Sequence, residues 1–150
     1  MTKYPNASFR LTDPLAAQVA SRGENASATA KRDLERYYAL LDRELRSVDL
    51  SRGEVKLLLD VCNGTLWQPF SMPLLWAEVE DSLEDGYAEK WEVGGPALVG
   101  RLRSLTTGQA FAVVDALERA WRGLEGYHGD LEAAARAVGL IRPARGEAGR

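Results

Sequence analysis

Cysteine and histidine are almost missing from this chain of 150 residues, which has one of each, Cys62 and His128. A lone cysteine excludes an intramolecular disulfide, and one cysteine with one histidine excludes the His/Cys zinc sites and iron–sulfur clusters. Long hydrophobic runs are missing too. No apolar stretch approaches the roughly 18 residues of a membrane-spanning helix, and the opening MTKYPNASFRLTD carries no signal-peptide-like apolar core. The expectation is a cytoplasmic protein without membrane contact, in which the Asn-x-Ser/Thr triplets at Asn6, Asn25 and Asn63 carry no glycosylation meaning. An excess of positive charge is also absent. The chain has 19 basic and 22 acidic residues and a net charge of −3. Residues 1–50 hold 8 basic and 7 acidic side chains, and residues 51–150 hold 11 and 15. A broad basic face for nucleic acid is thereby excluded, and any DNA contact must be local and carried by few residues.

What remains is the composition of a soluble globular protein, 45% hydrophobic and 27% charged, long enough for one ordinary domain or two small ones. Residues 6–11 (Asn-Ala-Ser-Phe-Arg-Leu) alternate polar and apolar, the period of a half-buried strand. Thr12-Asp13-Pro14 supplies a cap and a first-turn proline for a short helix over residues 15–22, with Leu15 and Val19 on one face and Gly23 as a left-handed stop. Asn25 or Ser27 caps a long helix to about residue 46, in which Leu34, Tyr38, Leu41, Leu45 and Val48 form one apolar stripe.

From Ser51 onward every element reads as helix. Ser51 and Glu54 make a capping box ahead of Leu57, Leu58 and Val61, and Gly64 is the stop. Pro73 opens a helix burying Leu74, Leu75, Val79 and Leu83, and Gly94-Gly95-Pro96 is a break before another helix. Thr107 is read as the cap of a helix burying Ala110, Phe111, Val114, Leu117 and Trp121. Asp130 caps a last helix that ends at Gly139. The domains expected are 1–48, a dimerisation and DNA-binding module; 49–141, a helical domain; and 142–150, a flexible tail rich in Pro, Gly and charge.

A lone N-terminal strand has no partner downstream, and its backbone N–H and C=O groups need one. Pairing with the same strand of a second copy, across a twofold axis, satisfies them. Ser8-Phe9-Arg10-Leu11 as strand, Thr12-Asp13-Pro14-Leu15 opening the first helix, residues 23–27 as the turn, and Ala30 and Leu34 on the second helix together resemble the ribbon-helix-helix family of DNA-binding proteins. The resemblance covers about residues 4–46 and implies a mainly α homodimer whose two-stranded ribbon lies in the DNA major groove. It further implies that Asn6, Ser8 and Arg10 face the bases while Ala7, Phe9 and Leu11 face the helices. An arginine fork suits guanine O6 and N7, and an asparagine amide suits adenine N6 and N7. Asn25, Ala26 and Ser27, at the start of the second helix, would offer backbone N–H groups to a phosphate, with Lys31 and Arg32 adding charge.

Catalytic readings are weaker. Cys62 sits at a helix C-terminus, where the dipole disfavours a thiolate, so a structural cysteine is expected rather than a Cys–His pair with His128. Glu78, Asp81 and Asp85 share a helical face without the spacing of a calcium loop. Nucleotide-binding glycine motifs and the Gly-x-Ser-x-Gly elbow are absent. Trp67, Trp76, Trp91 and Trp121 read as packing residues rather than a ligand cage. Residues 128–141 resemble the start of a helix-turn-helix, but Arg142-Pro143 departs from a recognition helix.

The sequence thus leads to the expectation of a non-enzymatic, cofactor-free, sequence-specific DNA-binding transcriptional regulator of prokaryotic, plasmid or phage type. Double-stranded DNA and a second copy are its partners, and the helical half is available to a protein partner. The alternative is a helical protein-interaction module, adaptor or antitoxin-like, that binds no DNA.

Overall fold

The computed structural model describes residues 10–62, 89 and 92–143. Among the described residues the chain is mainly α, with six α-helices, one 3-10 helix and no strand. Residues 6–9 of the strand expected at 6–11 lie outside the described residues, and Arg10 and Leu11 are irregular backbone. Gly64, the helix expected after Pro73 and the tail beyond residue 143 lie outside them as well. Two compact units divide the chain, 1–39 and 40–150.

In the first unit, α1 (Asp13–Arg22) begins after the extended Thr12, with proline in its first turn. The Thr12 side chain makes no capping bond; Asp13 in the first turn and Arg22 in the last complement the helix dipole instead. Gly23 ends the helix, though not in the left-handed conformation expected of it. Its backbone is extended (φ 173°, ψ 158°), which any residue adopts. Glycine is required there because a Cβ would run into the Thr29 side chain, itself buried at 4% exposure. Gly23→Ala is therefore expected to destabilise the unit by about 1–3 kcal/mol through overpacking. Adding Thr29→Ala, which removes the obstructing hydroxyl, should recover part of that loss in urea denaturation followed by circular dichroism. A double variant as unstable as Gly23→Ala alone would place the constraint elsewhere.

Asn25, of the two caps considered, is the one used: its Oδ1 accepts the Ala28 N–H at 3.0 Å. The helix it opens, α2 (Ala26–Ser47), carries the single apolar stripe read from the sequence, but the stripe has two fates. Leu34 and Tyr38 are 42% and 54% exposed, whereas Leu41, Leu45 and Val48 are buried in the core of the second unit. The two compact units meet inside α2, at 39/40.

The second unit continues with α3 (Arg52–Cys62), α4 (Gly95–Ser104), α5 (Thr107–Gly123), a 3-10 helix (Leu124–Tyr127) and α6 (Leu131–Ala137). The capping box at the start of α3 forms as read: Ser51 N–H donates to Glu54 Oε2 at 2.7 Å, and Glu54 N–H donates to Ser51 Oγ at 3.2 Å. At α5 the cap is Thr106, not Thr107. Thr106 Oγ1 accepts the Gln109 N–H and Gln109 Oε1 accepts the Thr106 N–H, a second reciprocal box. Asp130 caps α6, its Oδ1 accepting from Glu132 and Ala133.

The core is built where α5 packs on α3 and α6. Its centre is Val113, Ala116 and Leu117, all fully buried, with Ala112 and Ala120 one turn away on either side of Ala116. Phe111 and Trp121, expected inside, are half-buried at the flank. The alanines at positions 112, 116 and 120 let neighbouring backbones approach closely, and the bulky rings are pushed to the rim of that contact.

Candidate functional site

The expected DNA-contacting residues fall in three groups. Asn6 and Ser8 lie outside the described residues. Arg10 is exposed and immediately precedes α1, with Leu11 beside it half-buried. Asn25, Ala26 and Ser27 stand together, exposed, at the start of α2, and Lys31 follows Ser27 on the same helical face. Because Asn25 accepts from Ala28 through its side chain and from Thr29 through its carbonyl, the amides of Ala26 and Ser27 are the first-turn donors without an intrahelical acceptor.

The cations nearby are not equally available. Lys31 Nζ lies 4.0 Å from Glu35 Oε1, both side chains well exposed, an arrangement that water and salt readily loosen. Arg32 is more firmly engaged. Its guanidinium contacts Asp33 Oδ1 at 3.2 and 3.3 Å and donates to the carbonyl of Arg22 at 3.3 Å. Arg32 therefore acts first as a tie between the end of α1 and α2, satisfying a carbonyl that the helix terminus leaves open. The sequence suggested only its charge; the neighbouring Asp33 was the available sign that the charge is partly neutralised.

Beside these polar groups stand the apolar ones. Leu15 on α1 is 48% exposed, and on α2 Leu34, Tyr37, Tyr38 and Leu40 are likewise open to solvent, with the Tyr37 and Tyr38 rings 5.6 Å apart. In this unit only Val19 and Thr29 are buried among the described residues. Leu15, read as sharing a face with Val19, is open in the single chain, as are Leu34 and Tyr38, whose burial is expected between two copies.

In the second unit Glu132 is held by several cations at once. Hydrogen bonds from Arg136 and Lys56, with the charges of Lys56 and Arg52 adding to them, lower its pKa to about 2. Arg136 Nη2, Lys56 Nζ and Arg52 Nη1 lie 2.7, 3.0 and 3.6 Å from its carboxylate oxygens, joining α3 to α6. The depressed pKa means that this carboxylate stabilises the folded chain above its unfolded pKa, near 4.5, and that the contribution fades as pH falls from there towards 2. With Arg136→Ala, the carboxyl resonance of Glu132 should titrate closer to its ordinary value in an NMR pH series. A midpoint left at about 2 would assign the shift to Lys56 and Arg52.

Among the described residues no group of three or more His, Cys, Asp or Glu side chains is placed to hold a metal ion, and no helix is long and apolar enough to cross a membrane. His128 is an exposed loop residue at positive φ (54°) after the 3-10 helix. Glu78, Asp81 and Asp85 lie outside the described residues, as do the tryptophans other than Trp121. No family model matches the chain, and no curated protein or solved structure matches it either.

Proposed function

We propose that the chain is a sequence-specific DNA-binding regulator of ribbon-helix-helix type, assembled as a homodimer through α1 and α2. The observation that carries this reading is the exposed half of the α2 stripe. Leu34 and Tyr38, with Leu15 on α1, leave apolar surface open in a single chain at the part of the sequence whose strand pattern also calls for a second copy. Arg10, exposed directly before α1, is the described residue suited to a base edge, and the Ala26 and Ser27 amides with Lys31 are suited to a phosphate. Asn6 and Ser8 complete the base-reading set implied by the resemblance.

A second reading has its own support. Arg32 is engaged within the chain and the net charge is −3, both of which favour a helical protein-interaction module that binds no DNA. Fluorescence anisotropy separates the two. Wild type and Arg10→Ala are titrated onto duplex DNA from the chain's own gene neighbourhood across a salt series. The regulator should bind with a log–log salt slope of about −0.9 per phosphate neutralised. Arg10→Ala should lose about 1–3 kcal/mol of discrimination between operator and unrelated duplex while remaining folded. A folded wild-type dimer that fails to bind at low salt would turn the assignment to the interaction module.

A further inference from the structure

The end of α2 is closed by a residue from the far end of the chain. Residues 139–142 leave α6 through Gly139 at φ +82°, bury Leu140 and Ile141, and bring Arg142 to the C-terminus of α2. There Arg142 Nη2 donates to the carbonyls of Leu45 (3.3 Å), Arg46 and Val48 (3.0 Å), positions 94–97 residues upstream. The Glu44 carbonyl accepts from Ser47 Oγ at 2.6 Å, and Ser47 Oγ in turn accepts from Gln109 Nε2 at 2.9 Å. One guanidinium and one hydroxyl thus satisfy carbonyls that a helix terminus leaves open, and the positive charge meets the negative end of the helix dipole. A cavity of about 240 Å³ opens beside Arg142, lined by Leu50, Arg52, Leu140 and Ile141 among others, so the guanidinium is held by its polar bonds and not by packing on every side.

The other end of the same helix is held by the Asn25 cap and the Arg32 tie but buries little apolar surface in the single chain. Of residues 26–39 only Thr29 is buried, and three large apolar side chains there, Leu34, Tyr37 and Tyr38, are exposed. A helix of 22 residues whose N-terminal part buries so little is marginal by itself, and helical order propagates cooperatively along a chain from a fixed end. We propose that residues 139–142 form a latch, with Arg142 as its bolt, which sets the helical order of α2 along its whole length, including the part that belongs to the first unit. The inference goes beyond the DNA-binding reading and is argued for the single chain, in which Leu34 and Tyr38 are open, so exchange is read at a dilution where copies do not associate.

Amide hydrogen exchange of the full chain tests it, read peptide by peptide in wild type, Arg142→Ala and Arg142→Lys. Loss of two to three charge-assisted hydrogen bonds should accelerate exchange about tenfold or more in Arg142→Ala. The expected acceleration covers residues 30–40 as well as 44–48, while α5 keeps its protection. Arg142→Lys, which keeps the charge on a shorter side chain that cannot place its nitrogen where Nη2 sits, should fall between Arg142→Ala and wild type. Acceleration confined to residues 44–48 would overturn the latch and leave Arg142 as a local cap. Should Arg142→Ala also strip protection from α5, the Arg142→Lys chain is read by the same criterion. Because exchange does not depend on a DNA target, failure of the latch and failure of the regulator reading are told apart.

Discussion

Leu34→Glu is expected to give a folded chain that does not form the proposed dimer, while Leu41→Glu, two turns along the same stripe, is expected to unfold the second unit. Both substitutions put a carboxylate on the apolar face of α2, and glutamate is a good helix former, so helix propensity does not separate them. Burial does. Leu34 is 42% exposed in the single chain and Leu41 is 3% exposed. A charge at the first position stays in water and should change chain stability by no more than about 0.5 kcal/mol. In the proposed dimer, where a second copy covers Leu34, the same charge would be desolvated without a partner, a penalty of several kcal/mol that weakens association by more than about a hundredfold. At Leu41 the lost side chain alone removes about 2–5 kcal/mol, and an unpaired buried charge adds to that, against a typical total stability of about 5–15 kcal/mol. Sedimentation velocity with circular dichroism on each variant checks both outcomes. A Leu34→Glu chain that remains dimeric would remove this face of α2 from the interface, and one that unfolds would show that Leu34 belongs to a core.

The features legible in the sequence are those whose partners are close in sequence. Ser51 and Glu54, three residues apart, announce their capping box, and Asp130 its cap. The α2 stripe was legible as a period, but period alone does not say what covers it, and the same spacing leaves Tyr38 open and Leu45 buried. Thr107, read as the cap of α5, lies one residue too far along, because the returning side chain of Gln109 pairs with Thr106. Gly23 was assigned to the right place for the wrong reason, because its constraint is the Thr29 side chain on the next helix and not its own dihedral angles. Arg142 was assigned to a tail, and no local pattern could have indicated otherwise, since its three acceptors lie more than ninety residues away. In the candidate site the same limit applies to Arg32. Its charge is legible, while the Arg22 carbonyl that engages it lies ten residues away, across the turn between α1 and α2.

Glu54→Ala should be the most damaging single change to the polar framework of the second unit, at about 2–4 kcal/mol. The Glu54 side chain is 3% exposed and serves two elements at once. Its Oε2 accepts the Ser51 N–H that begins α3, and its Oε1 pairs with Arg101 on α4. Loss of the returning half of the capping box accounts for about 1 kcal/mol, and the emptied volume and the unsatisfied Ser51 amide for the rest. Arg101 is 53% exposed, so once released it returns to water and adds little. The reverse truncation is different in kind. Arg101→Ala leaves a buried carboxylate with the Ser51 amide but without its counter-ion, and should lose about 1–3 kcal/mol, more than an exposed arginine ordinarily carries. Glu54→Gln keeps an acceptor for Ser51 and gives up only the charge, so its loss should be the smallest of the three. In urea denaturation the double variant Glu54→Ala/Arg101→Ala should then be hardly less stable than Glu54→Ala alone, because the arginine has nothing left to neutralise. Losses that instead add to within about 0.5 kcal/mol would mean the two side chains act independently. The join between α3 and α4 would then rest on apolar contacts such as Leu98 and Leu102, both buried in the same core.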